Sequence, residues 1–412
     1  MRRTTTWSIA LVTSLAISGA TGATAASAAT TTPVVAGAPA ATAGANGYTY
    51  DIATGTTNDP GSASLIARLR ANLPADWKAR QAAALGRFGI ERSAAQEALE
   101  RVIDPTQLQC APTRLDAYVA GVLGDIDPGS LAVLASVGAF DFPTYDAILF
   151  GEPGDPRYAL PKAYDNELSH SFRAAQKFWD TDGSDIQLMA MHGDVMTDQP
   201  RLARLLETLF GLPQANAAEI AAILVQVVAA DPALKGGQSP LFTLNAFAFT
   251  AAGEPDPVLS AIPDKLVFGD GMLDALQAVG VGDVGPRAVL GHEYAHHVQY
   301  DANLAASPLT GAEATRRTEL MADAFGTYFV THKRGLALNA ARVLEAEQSF
   351  YQVGDCNFAS QNHHGTPNQR LRASTWGWSV AKAAQKQGQV LPSLTLDAQF
   401  EAKLPELVAP DA

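Results

Sequence analysis

The chain has 412 residues, of which 47% are hydrophobic and 17% are charged, so it can bury a sizeable core and has a globular balance. Its formal net charge is −13. Nucleic acids and anionic membrane surfaces are bound through basic patches, so this charge argues against both as partners. The oligomeric state stays open at this point.

The N-terminus has the pattern of a secretory signal peptide. Arg2 and Arg3 precede an apolar stretch from Trp7 to Ile17, which small residues follow. The apolar stretch is too short to span a bilayer, so we expect residues 1–28 to be removed, the protein to be secreted, and no stable membrane insertion to remain. An uncleaved anchor is the alternative. Residues 29–47 are mostly Ala, Thr, Gly, Val and Pro and predict a flexible linker.

The rest of the chain predicts a mainly helical fold with a small β-sheet, of the α+β class. Residues 48–155 have a helical pattern interrupted by prolines and carry no visible chemistry, so we interpret them as a helical N-terminal region. Residues 156–412 form the second predicted domain. Its predicted elements are a buried helix at 217–230, strands at 242–250 and 265–268, and helices at 286–300, 311–332, 336–351 and 367–385.

The chain has two cysteines, Cys110 and Cys356. In an exported protein such a pair suggests one disulfide, which would join the N-terminal region to the second domain. Two buried free thiols are the alternative, because the sequence does not give the distance between the two residues.

An acidic segment, Asp180 to Asp185, hints at a calcium-binding loop. Its glycine is misplaced for an EF-hand, and Met191 stands where the twelfth-position glutamate would be. A solvated turn is therefore the preferred interpretation of this segment.

The helix predicted at 286–300 carries the motif H-E-x-x-H, with His292, Glu293 and His296. Residues four apart lie on one helical face, so both imidazoles can reach one metal ion while Glu293 lies beside it. With 8 histidines in the chain, a chance occurrence has odds on the order of one in a hundred. Incidental histidines on a solvated helix are the alternative. His297 points about 100° away around the helix and is not expected to bind the ion.

The next predicted helix supplies a candidate for the third ligand. Glu319 and Asp323 lie four apart on one face, among apolar neighbours. Catalytic zinc keeps three protein ligands and one open position, so we expect Glu319 to complete a site for one Zn²⁺ per chain. Asp323 can accept the free N–H of a ligating histidine. Surface acids that balance Arg316 and Arg317 are the alternative.

At these residues the sequence resembles the glutamate-ligand branch of the zincin metallopeptidases. It is similar to the bacterial neutral zinc metallopeptidase family in four blocks, which are H-E-x-x-H-H-x-Q at 292–299, T-E-L-x-A-D at 318–323, G-D at 354–355 and H-G-T-x-x-Q-R at 364–370. More loosely, N-A-F-A at 245–248 resembles the membrane-bound prenyl-protein and heat-shock proteases. The resemblance implies a zincin-like catalytic domain, covers about 245–372, and leaves the N-terminal region unassigned.

The resemblance also implies a mechanism. Glu293 would act as general base on a zinc-activated water, and His364 and Arg370 would stabilise the oxyanion. From the residues alone, His363, His364 and Tyr351 all stay open for that second role. The expected function is that of a secreted zinc metallopeptidase, and the alternative is a non-catalytic exported binding or assembly protein that retains the fold.

The strand expected at 244–249 bears on the substrate. If it forms the edge of the sheet above the metal-binding helix, an extended peptide or protein segment can pair with its backbone. An ordinary core strand is the alternative for this segment.

Overall fold

The computed structural model describes residues 42–43, 47–51, 56–88, 114–257, 259–304, 306–350 and 365–410. The predicted signal peptide, both cysteines, Tyr351, His363, His364 and the G-D block lie outside the described residues. Within the described ranges the protein is mainly helical with two small sheets, so the predicted fold class is confirmed.

Each of the two sheets has three strands. The first is antiparallel and joins β1 (Thr42–Ala43), β2 (Thr49–Asp51) and β3 (Thr56–Thr57). The second has the order β4-β6-β5, in which β4 (Gln187–Met191) runs parallel and β5 (Ala246–Phe249) antiparallel to the central β6 (Lys265–Gly269). All five residues of β6 are buried, as expected for a strand covered on both faces.

The helices account for most of the described chain. They are α1 (Pro60–Asn72), α2 (Trp77–Phe88), α3 (Arg114–Asp125), α4 (Pro128–Ala135), α5 (Phe142–Phe150), α6 (Asp165–Phe178), α7 (Gln199–Phe210), α8 (Gln214–Ala230), α9 (Asp270–Ala278), α10 (Gly285–Asp301), α11 (Ala312–Thr331), α12 (Ala340–Phe350), α13 (Pro367–Gln387) and α14 (Ser393–Leu407). No single described helix is long and apolar enough to cross a membrane, although α3 and α4, bent by 107° at the break between them, together pass the same test of length and composition.

Most predicted elements of the second domain form close to their expected positions. The helix expected at 336–351 begins later, at Ala340, and the strand expected at 242–250 is confined to Ala246–Phe249 because Pro240–Phe242 forms a 3-10 turn. Strand β4 was not predicted. Local capping explains several helix starts: Pro286 stands in the first turn of α10, and Thr366 forms a capping box with Gln369 at the start of α13.

One core joins the N-terminal region to the sheet. Lys265 in β6 is 1% exposed, and its Nζ donates hydrogen bonds to the carbonyls of Ala147, Ile148 and Gly151, at 3.0, 2.6 and 2.8 Å, where α5 ends. Burial lowers the pKa of Lys265 to about 8. The described residues from Thr42 onward belong to one compact unit, and the boundary drawn at 155/156 stays a prediction.

Two glycine contacts bring the helices around α11 close together. A Cβ built on Gly326 in α11 would stand 2.8 Å from the backbone nitrogen of His292 in α10. On another face of α11, a Cβ built on Gly377 of α13 would stand 2.1 Å from the carbonyl oxygen of Ala324. These close approaches allow side chains of α10, α11 and α13 to meet in one buried place.

Candidate metal centre

Three donor atoms converge where α10 and α11 cross. His292 Nε2 lies 3.1 Å from His296 Nε2 and 3.4 Å from Glu319 Oε2, and His296 Nε2 lies 3.5 Å from Glu319 Oε1. The side chains of all three residues are 9% exposed or less. Among the described residues they form a group whose ligand atoms all lie within 4.8 Å of one another and could hold one metal ion.

The neighbours of the two histidines fix which ring nitrogen carries the hydrogen. Gln299 Nε2 donates to the carbonyl of Thr318 at 2.8 Å, so Gln299 Oε1 must be the atom that faces His296 Nδ1 at 3.0 Å. His296 Nδ1 is therefore the donor in that contact. His292 Nδ1 lies 2.9 Å from Asp323 Oδ1, which only accepts. In both neutral rings the Nε2 lone pair points into the centre.

This arrangement fits a tetrahedral zinc ion. Zinc bonds of about 2.0 to 2.1 Å with tetrahedral angles place neighbouring ligand atoms about 3.3 to 3.4 Å apart. His292 Nε2 lies 3.1 Å from His296 Nε2 and 3.4 Å from Glu319 Oε2, close to that spacing, and the 3.5 Å contact of His296 Nε2 is with the other carboxylate oxygen, Oε1. Two imidazoles and a carboxylate are also a donor set typical of catalytic zinc. The residues present therefore fit the ion that the sequence motif implies.

Arg370 supports the acidic residues of the centre from α13. Its Nε and Nη2 donate to the two oxygens of Asp323 at 2.8 and 2.9 Å, and Nη2 also reaches Glu319 Oε2 at 3.4 Å. Burial alone would raise the pKa of Asp323, but the Arg370 charge and the His292 hydrogen bond outweigh it and lower that pKa. Asp323 thus stays ionised and can orient His292. The predicted contact of Arg370 with an oxyanion stays a prediction.

The electrostatics of His292 favour positive charge at the ring. Burial alone lowers its pKa, but the hydrogen bonds to Asp323 and Glu319 and the nearby charges raise it well above its usual value. The same carboxylates that favour a proton on this imidazole also favour a metal cation beside it.

Glu293 lies on the same helix but is held in a different way. Its Oε2 accepts a hydrogen bond of 3.0 Å from the backbone N–H of Ala248 in β5, and the residue is 9% exposed. β5 is the outer strand of its sheet, and the carbonyl of Asn245 accepts from Gly269 on the side of β6. Because peptide groups alternate along a strand, those of Ala246 and Ala248 point away from β6.

A second buried polar layer lies behind Asp323. Thr327, one turn further along α11, donates to Glu347 Oε1 of α12 at 2.5 Å, and Ser374 of α13 also approaches Glu347. Burial raises the pKa of Glu347 to about 8, helped by the charge of Asp323. Glu347 is therefore neutral at pH 7 and joins α12 to the two helices that carry the centre.

No protein-family model matches the chain, and none of the curated proteins or solved structures compared with it matches either. The zincin resemblance therefore depends on the sequence motifs. The structure adds a mostly helical protein with a buried His292, His296 and Glu319 group.

The structure brings together most of the predicted residues of this site. His292, His296, Glu319, Asp323 and Arg370 share one centre, and Glu293 lies beside it. Sequence reasoning missed the roles of Gln299 and Glu347. The role of Gln299 could have been predicted, because Gln299 is three residues after His296 and so lies on the same face of the helix. No sequence pattern predicted the role of Glu347.

Proposed function

We propose that the protein is a zinc-dependent metallopeptidase that hydrolyses peptide bonds. The observation that carries the proposal is the convergence of His292, His296 and Glu319 beside Glu293, a carboxylate placed for acid–base chemistry. A structural zinc site is usually closed by four protein ligands and needs no such base. This difference favours an enzyme over the binding or assembly protein.

The chemistry follows from the side chains around the centre. A zinc ion held by the three ligands would supply a Lewis acid that polarises a carbonyl and acidifies a neighbouring water. Glu293 accepts the proton of the attacking water and returns it to the leaving amine. The N–H of Ala248 orients the Glu293 carboxylate for this transfer. Asp323 and Gln299 hold the two imidazoles, and Arg370 holds Asp323.

The substrate we propose is an extended peptide or protein segment. β5 is the outer strand of the sheet next to α10, and its Ala246 and Ala248 peptide groups point away from β6. The outward N–H of Ala248 is already bonded to Glu293, so an extended chain would pair with the other outward peptide groups of this edge and lie beside Glu293. Secretion belongs to the proposal as well and is supported by the N-terminal sequence pattern.

The ligand set is tested by metal analysis of the purified mature protein. We expect about one zinc per chain, and we expect Glu319→Ala to lose tight zinc binding because it removes one of three ligands. Full zinc occupancy in Glu319→Ala would reject Glu319 as the third ligand.

The catalytic role is tested by Glu293→Gln in a broad peptide-library cleavage assay. Glutamine keeps the size of the side chain but cannot take a proton, so hydrolysis should fall by about 10²- to 10⁴-fold while zinc content stays the same. Glu207→Gln on α7 is the matched control and should leave both unchanged. Equal cleavage by wild type and Glu293→Gln would refute the mechanism, and a zinc-loaded wild type that cleaves nothing would favour the binding protein.

A further inference from the structure

The C-terminal helix α14 packs against two of the helices that carry the candidate metal centre, α11 and α13. Its side chains Leu396 and Phe400 are fully buried, and the Phe400 ring packs edge-on against Trp376 of α13, with 5.9 Å between the ring centroids. At the start of α14, the backbone N–H of Ser393 donates to Asp180 Oδ1 at 3.0 Å. The predicted ligands lie on α10 and α11, so α14 can affect them only through the helices that it contacts.

Arg317 connects α11 to α14. It lies two residues before Glu319, and its side chain is only 4% exposed. Its Nε donates to Glu401 Oε1 at 2.6 Å, and its Nη2 lies 3.7 Å from Asp397 Oδ1, so both of these acidic partners belong to α14. A buried guanidinium must keep such partners, because an unpaired buried charge is costly. The position of α14 therefore constrains the segment of α11 that carries Glu319.

Two side chains of α13 hold the end of α14. Arg372 Nε and Nη2 donate to the carbonyl of Leu407 at 3.1 and 3.0 Å, and Nη2 also donates to the carbonyl of Ala409. Gln369 Nε2 donates to the carbonyl of Val408 at 2.9 Å. The last carbonyls of a helix have no partner within the helix, so these side chains complete the end of α14 and fasten it to the first turns of α13.

Gln369 also fixes where α13 begins. Its Oε1 accepts from the backbone N–H of Thr366 at 3.0 Å, while its own N–H donates to Thr366 Oγ1 at 3.1 Å, which together form the capping box. The next residue, Arg370, donates to both oxygens of Asp323. The sequence block H-G-T-x-x-Q-R contains Gln369 without indicating its role. In the structure this one buried amide joins the start of α13 to the end of α14, next to the arginine that supports the centre.

We propose that α14 and the two residues after it position the metal centre, with Arg317 and Gln369 as the positioning residues. Through Arg317, α14 holds the part of α11 that carries Glu319. Through Gln369, it holds the first turn of α13, which carries Arg370. This inference rests on the proposed zinc site. Because zinc ligand distances tolerate only about 0.2 Å, a small shift of α11 or α13 is enough to change the zinc affinity.

The test measures the zinc affinity of the mature protein by competition against a chelator, at a temperature where circular dichroism shows every variant to be folded. Gln369→Glu keeps the oxygen that the capping box needs but loses the N–H that Val408 accepts. Glu401→Gln removes a charge that pairs with Arg317. We expect each variant to lose zinc affinity by about three- to tenfold, below the roughly 10- to 100-fold typical of a residue that contacts a ligand directly. The negative charge added by Gln369→Glu favours a cation, so a loss of affinity in that variant is not an effect of charge.

Two matched controls carry the same substitutions away from the centre. Gln385→Glu removes a donor to the carbonyl of Thr331 at the other end of α13, about 22 Å along the helix from Arg370. Glu406→Gln breaks an ion pair with Lys403 within α14 itself. Both controls should keep the wild-type zinc affinity even where urea unfolding shows a lower stability, because a loss of stability alone does not change the affinity of the molecules that are folded.

Cobalt provides a second readout, because the visible absorption of Co²⁺ bound in place of zinc depends on its coordination geometry. We expect Gln369→Glu and Glu401→Gln to change this absorption and the two controls to leave it as in wild type. Zinc affinity and cobalt absorption that equal those of wild type in both variants would overturn the positioning role alone. A wild type that binds no zinc would overturn the proposed metal centre and this inference with it. Neither readout requires hydrolysis.

Discussion

We predict that alanine at Gly326 pushes α10 and α11 apart where they cross. A Cβ at this position would stand 2.8 Å from the nitrogen of His292, 2.9 Å from the carbonyl carbon of Gly291 and 3.0 Å from the His292 Cα. Ordinary contacts between such atoms are about 3.5 to 4.0 Å, and helix backbone cannot rotate away as a side chain does. Gly326→Ala must therefore separate the two helices by roughly 0.5 to 1 Å.

The cost can be bounded. Overpacking of this kind costs about 1 to 3 kcal/mol, and the better helix propensity of alanine returns about 1 kcal/mol, so we expect the free energy of unfolding to fall by up to about 2 kcal/mol. Glu319 also moves away from the two histidines. Because zinc ligand distances tolerate only about 0.2 Å, zinc affinity should fall by at least about tenfold.

The assay combines urea unfolding with zinc competition against a chelator. Gly121→Ala in α3 is the matched control, because a Cβ there meets nothing within 4 Å. That control should gain about 0.5 to 1 kcal/mol and keep its zinc affinity. If Gly326→Ala behaves like Gly121→Ala, the helix crossing does not set the geometry of the centre.

Two further predictions concern the residues behind the ligands. Asp323→Asn should weaken zinc affinity or activity by about 10- to 100-fold, with partial rescue by excess zinc, as measured by chelator competition; unchanged affinity would contradict the orienting role. Glu347 has a raised pKa of about 8, so between pH about 4.5 and 8 the folded state keeps a proton that the unfolded state loses. The contribution of protonated Glu347 to the free energy of unfolding is fully present below pH about 4.5. It declines as the pH rises to about 8, by up to about 1.4 kcal/mol per pH unit. Glu347→Gln should remove that slope from urea unfolding curves, and identical slopes would show that Glu347 is ionised in the fold.

The candidate centre was predictable where it depends on local spacing. His292, Glu293 and His296 follow from the helical repeat, and the same repeat pairs Glu319 with Asp323. Contacts between helices were not predictable in this way. The hydrogen bonds of Arg370 to Asp323 depend on how closely α13 approaches α11, and that distance is set by Gly377.

In the fold, too, elements with a local sequence pattern were predictable, and elements that depend on contacts between distant segments were not. Strands β5 and β6 have apolar runs that sequence patterns detect, whereas β4, with the sequence Q-L-M-A-M, lacks β-branched residues and becomes a strand by pairing with β6, far away in the chain. Glu347 has the sequence pattern of an ordinary helical acid. Only the packing of α12 against α11 and α13 makes it a buried neutral one.

The buried ammonium of Lys265 limits how this protein could be matured by proteolysis. Its three acceptor carbonyls belong to residues 147–151, so removal of everything before residue 156 would leave an ammonium ion in the core without them. The same removal would expose the apolar core surface that α5 covers, which adds to the loss of these hydrogen bonds. We therefore expect a chain that begins at residue 156 to be much less stable than one that keeps α5.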